Sequence, residues 1–116
     1  MFSLGAWHSY LLHRQPCDMR KSFDGLSGIV LNELGRSPTS GEVFIFLNKR
    51  RSHIKLLHWE NGGFVLYYKR LEKGTFTPPE PGPDGSISWP NLVLMIEGIQ
   101  VQKSIQKPRF ILDKSV

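Results

Sequence analysis

Cysteine is almost missing from this sequence. With Cys17 alone among 116 residues, no intramolecular disulfide can form, and a zinc knuckle lacks its ligands. A reducing cytoplasm is the natural setting. Long apolar runs are missing too, none approaching the ~18 residues of a membrane-spanning helix. The opening Met1-Phe2-Ser3-Leu4-Gly5-Ala6-Trp7-His8 has neither the charged n-region nor the long apolar h-region of a secretory signal. Gly-rich phosphate loops and nucleophile elbows are absent. Carboxylates are few and scattered: Asp18, Asp24, Glu33, Glu42, Glu60, Glu72, Glu80, Asp84, Glu97 and Asp113 form no paired motif. A two-metal nuclease site needs acids that converge within a few Å, so this spacing argues against one. His53 and His58 lie five apart on one expected strand and so point to opposite faces. The chain is read as a non-enzyme with no metal and no cofactor.

Against that shortage of acids stand 15 Lys and Arg, a formal charge of +5 and a pI near 9.6. The excess is local. Residues 42–76 hold Lys49, Arg50, Arg51, Lys55, Lys69, Arg70 and Lys73 against Glu42, Glu60 and Glu72, a net of +4. A concentrated positive patch attracts polyanions, phosphate backbones above all. The competing reading is a solvated rim that keeps strand edges from aggregating.

The same stretch carries the clearest structural signals. Asn61-Gly62 between apolar runs marks a two-residue type I′ hairpin, because both residues reach positive φ cheaply. The strand ending at Trp59 then pairs antiparallel with the one starting at Phe64, Glu60 facing Gly63. A second turn through Lys49 to Ser52 joins the run Val43 to Asn48 to the run beginning at His53. Lys49, Arg50, Arg51, Lys69 and Arg70 should therefore share one edge of a three-stranded meander. That register puts Phe44, Phe46, Leu57, Trp59, Phe64, Leu66 and Tyr68 on one face, and Val43, Ile45, Leu47, Ile54, Leu56, Val65 and Tyr67 on the other. Both faces are apolar. Two helices are scarcely enough to cover both, which leaves the second to the N-terminal segment and a loop, to another subunit, or to single-stranded nucleic acid stacking on aromatic rings.

Outside the meander, Ser9 to His13 suits a strand ended by Pro16. Met19, Phe23, Leu26, Val30 and Leu34 recur at helical spacing, with Asp18 as N-cap and Gly35 as stop. Gly25 and Gly28 within that helix suggest close approach of another backbone or a ligand. Residues 74–86, with four of the eight prolines, read as a loop. Ser88 and Pro90 open a short helix, Leu92 to Glu97, that Gly98 ends. Residues 101–116 read as a basic tail. The length allows one α+β domain, here residues 1–100, with a three- to four-stranded antiparallel meander, one longer N-terminal helix and a short C-terminal one.

Two stretches carry a resemblance. Asp18-Met19-Arg20-Lys21-Ser22-Phe23-Asp24-Gly25-Leu26, and Phe46 to Phe76 with Asn48-Lys49-Arg50-Arg51, Ile54-Lys55, Trp59, Gly63-Phe64 and Tyr68-Lys69-Arg70-Leu71-Glu72, resemble the TnpB (Orf2-like) accessory protein of the insertion-sequence-sixty-six family of bacterial transposons. The likeness spans roughly residues 10–99. It departs from the family at Ser22, where Gly is usual, at His58, where Tyr is usual, and at Tyr67, often Trp. The resemblance implies a small accessory factor for transposition, working beside a separate and larger transposase. Its partners would be DNA, transposon ends in particular, and the transposase with its companion proteins. A homodimer fits the apolar sheet, and the setting would be a bacterial cytoplasm, near the nucleoid. Lys49, Arg50, Arg51, Lys69 and Arg70 are the leading candidates for DNA contact. Arg20 and Lys21 at the helix start, and Lys55 in the middle strand, complete the set. The alternative is a subunit that docks on the transposase complex without touching DNA.

Overall fold

The structure, a computed structural model describing residues 4–98, closes its hairpin where the turn chemistry demands. Asn61 (φ 51°) and Gly62 (φ 81°) are both left-handed, and Glu60 pairs with Gly63. Among the described residues the elements run β1 (Tyr10–Leu12), α1 (Phe23–Asn32), β2 (Val43–Leu47), β3 (His53–Glu60), β4 (Gly63–Arg70), β5 (Ser86–Ile87) and α2 (Trp89–Ile96). The strands form one sheet in the order β4-β3-β2-β1-β5. The meander β2-β3-β4 has the expected register, Leu47 opposite Ile54 and Trp59 opposite Phe64.

The sheet is mixed, not purely antiparallel. β1 lies parallel to β2, Tyr10 beside Val43 and Leu12 beside Ile45, while β5 pairs antiparallel with β1. The parallel pair needs a crossover, and α1 supplies it. β5 falls at the end of the segment read as loop; two residues carry no period from which a strand can be recognised.

Each face has its own cover. Leu26, Ile29 and Val30 of α1 pack with Cys17 onto Leu11, Phe44, Phe46 and Leu57. On the opposite face Leu92 and Met95 of α2, with Phe76 and Ile87, close over Tyr10, Val43, Ile45, Ile54 and Leu56. Of the covers expected for the second face, the loop and the N-terminal segment are present, Phe76 and Leu4 joining α2 there, so that face is not left to a partner. What stays half-open is the β4 margin on the α1 side. There Tyr68 is 52% and Phe23 42% exposed, beside half-buried Trp59, Phe64 and Leu66.

The first helix starts at Phe23 with Ser22 as N-cap, later than Asp18 suggests. Asp18 instead forms a turn, its Oδ1 accepting from the Arg20 backbone N–H at 2.9 Å. The carbonyls of Met19 and Lys21 are diverted to the buried Lys55 ammonium, at 2.7 Å each, so they are not free to begin a helical ladder. Neither helix glycine marks a close approach to the sheet. A Cβ at Gly25 would press on the Lys21 side chain at 3.1 Å, and one at Gly28 would meet nothing within 4 Å. Gly28→Ala should accordingly raise stability by up to ~1 kcal/mol, the helix-propensity difference, measured by urea denaturation. The second helix matches its signals: Ser88 Oγ accepts from Asn91 N–H and Pro90 sits in the first turn. Residues 101–116, read as a basic tail, lie outside the described residues.

Candidate nucleic-acid interface

The β2–β3 turn is organised around one side chain. Asn48 Oδ1 accepts from the backbone N–H groups of Ser52 (2.9 Å) and His53 (3.0 Å), and its Nδ2 donates to Ser52 Oγ (3.1 Å). Arg51 N–H returns to the Asn48 carbonyl at 3.0 Å. Arg51 takes φ 59°, in the left-handed region that costs a non-glycine residue roughly 1–2 kcal/mol. Its carbonyl receives the Phe76 N–H at 2.7 Å, which helps hold it there. Lys49, Arg50 and Arg51 are left exposed on a turn whose backbone is fixed from inside.

The register brings a fourth cation to the same end. Arg70 faces His53 across β3 and β4, the next N–H, Leu71, donates to Ser52 O at 2.9 Å, and Arg70 is exposed. Lys69 is diverted. It is half-buried and its Nζ donates to the Ile96 carbonyl at 2.8 Å, at the negative end of α2, where a cation is favoured.

The remaining candidates lie elsewhere. Lys55 is 4% exposed, bonded to the two carbonyls named above, with its Nζ 4.5 Å from the Tyr68 ring centroid; it ties the α1 approach to the sheet and has no surface to offer a phosphate. Arg20 is exposed and holds Asp18 through Nη2 and Nε, at 2.7 and 3.1 Å. The Arg20 hydrogen bonds, side chain first, push the Asp18 carboxyl down to about 2. Lys21 is exposed next to it. These two sit before α1, on the layer that covers one sheet face, not on the rim.

Charge counting missed Arg14. Because β1 runs parallel to β2, both strands finish at the same end of the sheet, and the chain leaving β1 passes beside the basic turn. Arg14 is exposed there, its Nη2 donating to the Gly82 carbonyl at 2.6 Å. With Lys49 and Arg51 it lines a cleft of about 450 Å³ between the β1 exit, the β2–β3 turn and Pro78, Pro79 and Pro81. Only recognising the parallel pairing would have revealed it. Among the described residues no three of His, Cys, Asp and Glu are placed to hold a metal ion, and no helix is long and apolar enough to cross a membrane.

The family described as IS66 Orf2 like protein matches residues 8–106. The chain belongs to this family. Two relatives from Sinorhizobium fredii (strain NBRC 101917 / NGR234) bear the names "Uncharacterized protein y4jC" and "Uncharacterized protein y4hO". The first is 32% identical over 96 residues, covering 81% of each chain. The second is 32% identical over 83 residues, 71% of this chain and 72% of its own. No solved structure matches the chain significantly. Membership in the Orf2-like family associates the chain with transposition, and takes in both the meander and the basic turn.

Proposed function

We infer that this Orf2-like protein is a non-catalytic accessory factor for transposition that holds DNA along its basic rim. The observation that carries the reading is the convergence of Lys49, Arg50, Arg51 and Arg70 on one sheet end, three of them on a turn with a fixed backbone. A turn whose backbone is already held loses little backbone freedom when its cations meet phosphates, and neutralising phosphates releases counterions. A non-catalytic role suits the carboxylates: Asp18 and Glu42 are paired with Arg20 and Arg36, and Glu33 and Glu60 lie 3.0 and 3.4 Å from the His13 and His58 rings. Fluorescence anisotropy with the element's terminal repeats, unrelated duplex and single strands tests the reading. Duplex binding is expected, with a log–log salt slope of about −3 to −4 for four phosphate contacts. Absence of binding to every DNA would refute it.

A second reading is favoured by the half-covered β4 margin, where Tyr68 and Phe23 are exposed beside Trp59, Phe64 and Leu66. On it, the protein docks on the transposase complex, or on a second copy, without touching DNA. Light scattering and the same anisotropy series separate the two: association with another protein and no DNA binding supports the docking subunit.

A further inference from the structure

The cleft behind the basic turn asks for a ligand that the rim alone does not explain. Its volume of about 450 Å³ falls in the range of small-ligand sites, roughly 300–1,000 Å³. That is room for one unpaired nucleotide and far too little for a base-paired duplex. Its polar wall is cationic: Arg14 comes from the β1 exit, and Lys49 and Arg51 come from the β2–β3 turn. The lining also includes Pro78, Pro79 and Pro81, whose rings are apolar and lose almost no conformational freedom when a flat base packs on them. Glu80, between them, is the one acid in the lining, and a carboxylate accepts from the exocyclic amine of a base.

The walls are also tied together. Arg14 Nη2 donates to Gly82 O at 2.6 Å and Phe76 N–H to Arg51 O at 2.7 Å. The proline segment is therefore bonded at both ends to the structures that carry the cations. A guanidinium has five N–H donors in a planar fork, so Arg14 keeps donors for a phosphate while it holds Gly82.

We propose that this cleft seats a single unpaired nucleotide at the end of a DNA strand, its phosphate between Arg14, Lys49 and Arg51 and its base against the prolines. The proposal rests on DNA binding by the rim and deepens it: duplex lies along Lys49, Arg50, Arg51 and Arg70, and a frayed or overhanging end enters the cleft beside them.

The test is competitive binding at fixed salt to a blunt duplex, to the same duplex with a short single-stranded overhang, and to that overhang with and without a terminal phosphate. The wild-type protein should prefer the overhang by about tenfold, the yield of one good charge-assisted contact set. Arg14→Ala should weaken overhang binding about tenfold more than blunt-duplex binding and so erase the preference; Arg14→Lys, which keeps the charge but not the fork, should restore part of it. Thermal melting of both variants reports whether loss of the Gly82 bond has loosened the proline segment. If the two melt alike, a graded preference, wild type above Arg14→Lys above Arg14→Ala, supports the site, and an undiminished preference in Arg14→Ala overturns it. Added preference for the terminal phosphate places that group among the cations; equal binding of both overhangs assigns the internal phosphodiester. Equal affinity of the wild-type protein for blunt and overhanging DNA overturns the cleft while the rim stands. No affinity for any of these DNAs overturns both.

Discussion

Lys55→Met should lower stability by about 2–3 kcal/mol and leave DNA affinity unchanged. Methionine matches the length of the lysine stem but donates nothing, so the Met19 and Lys21 carbonyls lose a charged donor held at 2.7 Å. Hydrogen bonds to charged groups are worth roughly 1.5–3 kcal/mol each, and removing one partner strands the other. The gain from no longer burying an ammonium offsets part of the loss. For a domain of this size the change corresponds to a melting temperature lower by roughly 8–12 °C, readable by circular dichroism. The loss should be concentrated at the approach to α1, since the turn at Asp18–Lys21 is what Lys55 holds. An unchanged melting point together with weakened DNA binding would return Lys55 to the interface and remove the account given for the late start of α1.

The second large effect concerns the rim. Arg50→Ala combined with Arg51→Ala should reduce the magnitude of the salt slope by about 2 and weaken binding on the order of tenfold at low salt. All duplex sequences should be affected alike, because contacts to the phosphate backbone carry no base information. The fold should survive, as both side chains are exposed and such substitutions usually shift stability by less than about 0.5 kcal/mol. Unchanged affinity and slope in a folded double variant would leave the turn as a solubility device and bring the docking subunit forward.

The meander was legible because its information is local. Asn61-Gly62 sets one register by turn stereochemistry, and the alternation on either side sorts Phe44 and Phe46 from Val43 and Ile45 without reference to anything distant. The parallel position of β1 was not legible, since three residues carry no partner preference and the pairing depends on a crossover that only the assembled core selects. The same non-local step hid Arg14, which is ordinary in sequence and becomes part of the basic end only once Leu12 lies beside Ile45. Lys55 failed for the opposite reason. In a sequence it counts as one more positive charge near others, yet its register opposite Phe46 and Tyr68 turns it toward the core, where two backbone carbonyls and the Tyr68 ring receive it. The helix start at Phe23 follows from that burial and could not have been read from Asp18 alone.

The antiparallel pairing of Ser86–Ile87 with Tyr10–Leu11 sets the order in which this protein can be finished at the ribosome. The first strand reaches its outer neighbour only after more than seventy further residues have been made, and the helix that shelters Tyr10, Val43 and Ile45 follows later still. Domains made N-terminal end first expose such surfaces while they wait. A nascent chain halted between Arg70 and Ser86 therefore holds every residue of the α1 layer but lacks the helix of the other, and a product truncated there is expected to meet chaperones or proteases with one face uncovered.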